Sequence, residues 1–328
     1  MGDEVVALVA SSSFLDDVSP IGGLSSYCIV DEFAAVSTPP SSVDSSIEYS
    51  SSAAILSSSP SSESTLICLV AVLPYAIKAF SALHYQSRLV AGDSLLLLNA
   101  GSNFGLVLAE LASCWGVKVL ATSNSHDAKF RLERLNDGGA AGGFVGEKES
   151  TAKPPIRVID VDNARVGSEG AYLLKNVLDE TNGIGVDCVV DIAEEPLGYR
   201  DIRNGDTMTS LKKTVFAQRD IISCLSAGGN WITENSSLQL DPPESEVLFL
   251  KGASLSFLFD HWLVCPAQIG RFRHVMREAV RLVVEGTLTV DVDVIEDWNQ
   301  VVERLNDKES GDLKPTVFKL PSSGMGSC

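Results

Sequence analysis

The sequence predicts an α/β protein built on a doubly wound parallel sheet, and three features carry that prediction. The stretch LLLLNAGSNFG, Leu95 to Gly105, runs from an apolar strand through a turn of small residues into a second apolar run at helical spacing. Beyond it, strand-like and helix-like segments keep alternating as far as LFLKGASLSFLF. The strand-like segments are also continuously apolar, as strands covered on both faces are.

Taken in order, Ser94 to Ala100 is the first strand of this run, and Phe104 to Trp115 the helix after it, ended by Gly116. Val117 to Thr122 (VKVLAT) is the second strand and IRVIDV from Ile156 the third. Ala171 to Leu178 is a helix, VDCVVDIA from Val186 a fourth strand, and LSAGGNWIT continues the alternation. After Pro266 come the helix QIGRFRHVMREAVRLVVEG with a basic face, then TLTVDVDVI, a short helix at Trp298 to Leu305 and the strand TVFKL. Ahead of the run, EVVALVA and SSYCIVDEFAAV read as short strands around the turn SPIGG. Residues 37 to 64, rich in serine and proline, hold too few large apolar side chains to offset their ordering entropy and read as a linker. Leu66 to Ile77 is apolar but interrupted by Pro74 and shorter than the ~20 residues of a membrane span, so it reads as a buried helix or strand.

A net charge of −18 repels nucleic acid and anionic membrane surfaces alike, which excludes both as main partners. The seven cysteines lie far apart with no CxxC, and the four histidines form no HExxH, so no metal site is expected. Reduced, mostly buried thiols and an N-terminus, MGDEVVALVA, without a basic region ahead of its apolar residues point to a cytoplasmic protein with no signal peptide. The loop NDGGAAGGFVGEKES lacks the lysine that a phosphate-binding loop carries directly after its last glycine, and reads as a surface loop. No GxSxG turn supports a hydrolase.

Aligned on its last glycine, the opening stretch sets Ala100, Ser102 and Gly105 where a dinucleotide fingerprint has GxGxxG. The first glycine makes a tight turn, the second admits the pyrophosphate, and the third packs helix on strand. Gly105 keeps the last role. Ser102 brings a Cβ toward the pyrophosphate together with a hydroxyl able to donate to it. The competing reading is a small-residue turn that binds nothing. At the end of the second strand, ATSNS sets Ser123 and Asn124 where an NAD site places an acid, and Lys129 and Arg131 follow. Hydroxyls and cations suit a 2′-phosphate, which favours NADP(H). The alternative is a solvated helix face, with Asp127 and Glu133 neutralising both cations.

KAFSALHY, GDSLLLLNAGSNFG, GVDCVVDIA, DIISCLSAGGNWIT and LQLDPPESEVLFLKGASLSFL together resemble the zinc-free quinone oxidoreductases of the medium-chain dehydrogenase/reductase superfamily. The similarity runs from about Lys78 to the C-terminus, and GDEVVALV with IGGLSSYCIV is similar to the end of that family's GroES-like catalytic domain. The resemblance implies a Rossmann NADP-binding domain at 67–265 and a GroES-like, β-rich domain from 1–42 and 266–328, with 43–66 a serine-rich linker or insert. On it, the chain begins inside the GroES-like domain and lacks residues that usually line the quinone pocket. It implies NADPH as hydride donor, a quinone or α,β-unsaturated carbonyl as acceptor, zinc independence and a homodimer paired through Rossmann sheets.

Carried onto this sequence, the resemblance gives the turn Ala100 to Gly105, with Asn103 and Phe104 donating amides to pyrophosphate, and Ser123 and Lys129 at the 2′-phosphate. Gly228 and Gly229 fall near the nicotinamide ribose, with an ordinary strand-entry turn as the alternative. Phe257 and Leu258 fall where backbone holds the carboxamide. Lys78 stands where the family often has threonine, close to the nicotinamide. No side chain presents itself as a general acid, and water suffices as proton source for a quinone. The expected function is therefore an NADPH-dependent oxidoreductase. The alternative is a non-catalytic NADP(H)-binding or scaffolding protein with a degenerate active site.

Overall fold

The computed structural model describes residues 5–7, 35–37, 62–136, 154–163, 167–192, 216–259, 269–285, 287–288, 292–295, 300 and 316–318. The chain forms two compact bodies, one from Met1–Ile77 with Asp260–Cys328 and one from Lys78–Phe259. The expected linker up to residue 61, the glycine-rich loop after Asn136 and the expected helix at Trp298 to Leu305, Gln300 apart, lie outside the described residues.

The second body is a six-stranded sheet made of β3 (Ser94–Leu98), β4 (Lys118–Ser123), β5 (Arg157–Asp160), β6 (Val186–Asp191), β7 (Leu225–Thr233) and β8 (Ser254–Phe257). Every neighbouring pair is parallel, in the order β5-β4-β3-β6-β7-β8. The order reverses between β3 and β6, so the crevice over the carboxyl ends of these strands is the topological switch point where α/β sheets take ligands. The apolar runs explain why these segments lie centrally: Leu95, Leu96, Leu97 and Leu98 are all buried, as are Val119, Leu120, Val189, Val190, Trp231 and Ile232.

The helices that link the strands are α2 (Asn103–Cys114), α3 (His126–Asn136), α4 (Glu169–Glu180), α5 (Gln218–Cys224) and α6 (Pro242–Leu250). Around β6, the residues Leu173 and Val177 of α4 and Ile221 and Ile222 of α5 share one core cluster with Val186, Val189 and Trp231. Helix α5 is short, QRDIISC, too brief for its 3.6-residue period to be read against the strand that follows at once.

The apolar stretch read as ending at Ile77 continues further. Helix α1 spans Ser62–Phe80 straight through Pro74, starting within the expected linker, and a π-helical turn, Ser81–Gln86, extends it. The Ser87 hydroxyl donates to the carbonyls of Ala82 and Leu83 at 2.8 and 3.1 Å, closing that turn. The run Ile67–Gln86 thus has the length and composition to cross a membrane, and 61% of it is buried inside the protein.

In the first body, β1 (Val5–Ala7) pairs antiparallel with β2 (Ala35–Ser37), and β9 (Asp293–Ile295) pairs parallel with β10 (Thr316–Phe318). Helix α7 (Ile269–Val284) packs on β2 and buries Phe272, Val275, Met276 and Ala279, one stripe at helical spacing, while Arg271, Arg277 and Arg281 face water.

Candidate functional site

The turn between β3 and α2 assigns its tasks differently from the glycine alignment. Its left-handed residue is Asn99, at φ 57°, and Ala100 has an ordinary negative φ. Asparagine tolerates this region because its short amide bonds locally, and here Nδ2 of Asn99 donates to the Ile192 carbonyl at 3.0 Å. The amides of Asn99 and Ala100 are tied to β4, through Thr122 Oγ1 at 3.0 Å and the Thr122 carbonyl at 3.1 Å. Gly105 does what the last fingerprint glycine does: a Cβ there would lie 2.5 Å from the Ala100 carbonyl oxygen. Gly101 is a second close approach, since its Cβ would lie 2.3 Å from the Ala128 Cβ on α3.

Ser102 caps α2. Its Oγ accepts the Gly105 amide at 3.0 Å, a role open to serine and closed to the glycine it stands for. The hydroxyl proton stays available to an outside acceptor. Asn103 and Phe104 open the helix, so their amides have no acceptor four residues back within it and point along the positive end of its dipole. This is the geometry in which helix termini hold phosphate.

On the β4 and β5 side, Ser123 ends β4. It is buried, and its Oγ has no hydrogen-bond partner. Lys129 Nζ lies 3.1 Å from Asp160 Oδ2, and that carboxylate, by hydrogen bond and by charge, raises the lysine pKa. Asp160 is the register partner of Ser123. The acid missing from the end of β4 is therefore supplied at the same level by the next strand, a pairing that no one-dimensional spacing reveals. Arg131 reaches back to the turn, donating to the Gly101 carbonyl at 3.0 Å and to Asn103 Oδ1 at 2.6 Å. It joins α3 to the phosphate-facing loop more directly than Lys129 does.

On the β6 and β7 side, Asp191 ends β6, 3% exposed. Its Oδ2 accepts the Thr233 hydroxyl at 3.1 Å, and its Oδ1 is buried without a partner. Burial lifts its carboxyl to about 6, against the opposing pull of the Thr233 hydrogen bond, and the Glu234 carboxylate adds to the rise. Glu234 forms an ion pair with Lys78, whose ammonium also lies 4.7 Å from the centre of the Phe104 ring. Thr233 and Glu234 escaped the sequence reading because Gly228 and Gly229 drew attention to the other end of the same strand.

Gly228 and Gly229 lie in the first half of the same strand. Gly228, at φ 78°, donates its amide to the Lys251 carbonyl, and Gly229 sits close to Val186, the first residue of β6. The register of β7 on β6 shifts between the Val186 and Cys188 pairings, so both glycines form a bulge at the amino-terminal edge. They lie toward the opposite end of β7 from Thr233, where the strand-entry alternative sets them. Phe257 and Leu258, in contrast, lie at the carboxyl edge. Phe257 is in register with Thr233, the Leu258 amide donates to the Thr233 carbonyl at 2.8 Å, and Gln86 donates to the Phe257 carbonyl at 2.9 Å. Among the described residues no three His, Cys, Asp or Glu side chains gather as a metal site.

The cradle at Gly105, the open amides of α2 and the orphaned Ser123 hydroxyl together fit a dinucleotide lying across the switch point. No protein-family model matches the chain. Over 217 residues, 66% of its length, the chain is 35% identical to quinone oxidoreductase-like protein 1 of Mus musculus, and the match spans 54% of that protein. Among solved structures, a probable oxidoreductase from Mycobacterium abscessus superposes with a TM-score of 0.57 at 20% identity, covering 97% of this chain and 72% of that one. An alcohol dehydrogenase superfamily protein from Novosphingobium aromaticivorans gives 0.55 at 15% identity, covering 87% and 66%.

Proposed function

For a chain homologous to quinone oxidoreductase-like protein 1, with the fold of medium-chain dehydrogenase/reductase proteins, we propose an NADPH-dependent, zinc-independent reductase of quinones or α,β-unsaturated carbonyls. The observation that carries this reading is the capped first turn of α2: Gly105 against Ala100, Ser102 as cap, and the amides of Asn103 and Phe104 facing the switch point. In this reading those amides hold the pyrophosphate and Arg131 braces the loop from behind. Ser123 and Lys129 take the 2′-phosphate, while Phe257 and Leu258 hold the carboxamide by backbone. The bound nicotinamide supplies the hydride.

Lys129 and Lys78, one on either side of the turn, are each already paired with a carboxylate, and this favours the second reading, a protein that binds NADP(H) weakly and turns nothing over. One pair of measurements separates them. NADPH at about 100 times its Kd should stabilise the fold by roughly 2.7 kcal/mol, read as a higher melting temperature, and NADPH should be oxidised with an ortho-quinone or an enone. A thermal shift without oxidation leaves the binder. No shift with either nucleotide removes both readings.

The reading includes a homodimer across the edge strand β8 and the end of α6, where Phe257 of β8 is 49% exposed and Phe249 and Leu250 of α6 are 82% and 74% exposed. Sedimentation of the full chain checks it. A cytosolic setting suits the thiols of Cys68, Cys114, Cys188 and Cys224, which form no disulfide among the described residues.

A further inference from the structure

Three cations stand at the carboxyl edge of the sheet. Lys129 and Arg131 belong to α3 and serve the β4 and β5 side. Lys78 belongs to the last turn of α1 and serves the β6 and β7 side, over Phe104 and against Glu234. A dinucleotide held at its middle by the α2 terminus extends one half toward each side. With the adenosine half over Ser123, the reacting half comes to Lys78. This inference rests on the reductase reading above.

Lys78 is also suited to meet a ligand. Its side chain is 25% exposed while that of Glu234 is 9% exposed, so the ammonium borders solvent and its counter-ion lies beneath. Glu234 is fixed at the end of β7, its amide donating to the Asp191 carbonyl at 3.2 Å. An ammonium has three donors. The carboxylate and the face of the Phe104 ring account for two, and the third is left for an oxygen in the crevice.

We propose that Lys78 is the catalytic residue on the acceptor side: its ammonium holds the oxygen of an α,β-unsaturated carbonyl and then protonates it, and Glu234 positions that ammonium. When bound, the reduced nicotinamide dinucleotide would supply the hydride and be oxidised to NADP+; at the acceptor a C–H bond forms at the β-carbon as the π electrons move onto the carbonyl oxygen. An O–H bond forms there as one N–H bond of Lys78 breaks. The neutral amine takes a proton from water, and the enol tautomerises to the saturated ketone.

The test uses the full chain, Lys78→Met, Lys78→Arg and Glu234→Gln, with 2-cyclohexenone as acceptor and 4-nitrophenolate as an oxyanion probe titrated in the presence of NADP+. Lys78→Met should bind NADPH within about twofold of the native protein, lose at least tenfold in phenolate affinity, and lose on the order of 10²-fold or more in kcat. Lys78→Arg keeps the charge without a readily transferred proton, and should keep phenolate affinity while its kcat stays low. Glu234→Gln should weaken phenolate binding less than Lys78→Met does. Native phenolate affinity in Lys78→Met, or native kcat in Lys78→Arg, overturns the proposal. If the native protein binds NADPH and phenolate but reduces no enone, the reductase reading fails, and the phenolate titration alone still decides whether Lys78 holds an acceptor oxygen.

Discussion

Two lysine–carboxylate pairs flank the turn between β3 and α2, and they differ mainly in burial. Lys129 and Asp160 keep 36% and 22% of their side-chain surface in solvent, and Lys78 and Glu234 keep 25% and 9%. The first pair sits at the outer strands beside an orphaned serine hydroxyl, the second at inner strands beside a buried aspartate. Exposed pairs exchange partners at little cost, whereas a buried charge needs its partner. One side of the turn is thus built for a phosphate to compete with a carboxylate. The other is built to keep a cation in a fixed place.

Breaking the inner pair gives the largest expected effect. Glu234→Ala leaves Lys78 beside Phe104 without its counter-ion and should cost about 2–3 kcal/mol, below the ~3–5 of a fully buried pair because the ammonium borders solvent. Lys78→Met keeps the volume but leaves the Glu234 carboxylate, 9% exposed and close to the buried Asp191, without Lys78, and should cost more than Glu234→Ala. Urea denaturation of the two variants checks the order, and equal costs would erase the contrast between the two sides.

Asp191 measures the same burial through pH. An acid lifted to about 6 from 3.8 binds a proton more readily folded than unfolded, so stability falls as pH rises from about 4 to about 6 and levels off above. The fall from this group should be about 3 kcal/mol at most. Asp191→Asn should flatten that window in denaturation curves taken at pH 4, 5, 6 and 7, and a slope that persists would assign it to another group.

The turn itself, which both pairs flank, should respond to added volume. In Gly101→Ala a Cβ arrives 2.3 Å from that of Ala128, and α3 must move or the turn must open, at about 1–3 kcal/mol. Adding Ala128→Gly restores the space, less roughly 1 kcal/mol for glycine within a helix. The double variant should therefore recover NADPH affinity that the single one loses, and a double variant no better than the single one would move the strain elsewhere.

The central strands were legible because four consecutive leucines have one reading inside a parallel sheet, and the turn into α2 was legible once Gly105 aligned it, although Ser102 as its cap was not. The left-handed residue was not, because Asn99 takes a conformation that a search for glycine assigns to glycine. Thr233, Asp160 and Glu234, the carboxylate that pairs with Lys78, stayed hidden for another reason. Each meets its partner through the order of strands in the sheet, and that order is written in no local spacing. Gly228 and Gly229 show the converse: a glycine pair marks a change in the backbone, here the bulge on β6, and sequence does not say at which end of a strand it falls.

The outer pair should give the smallest response and the clearest sign. Lys129 is now held by Asp160 through a hydrogen bond and opposite charge. A 2′-phosphate arriving near Ser123 must share that lysine with the carboxylate and is repelled by it. Asp160→Asn removes the competitor and the repulsion while keeping a hydrogen-bonding side chain of the same size. NADPH should then bind several-fold tighter with NADH affinity nearly unchanged, and the gain should shrink as salt is added, since both groups lie where ions screen them. Lys129→Ala should move selectivity the other way, and in the Asp160→Asn background it should remove the gain. If the two substitutions instead act independently, the lysine belongs to the solvated face of α3, and Arg131 is left as the cation that defines this side of the turn.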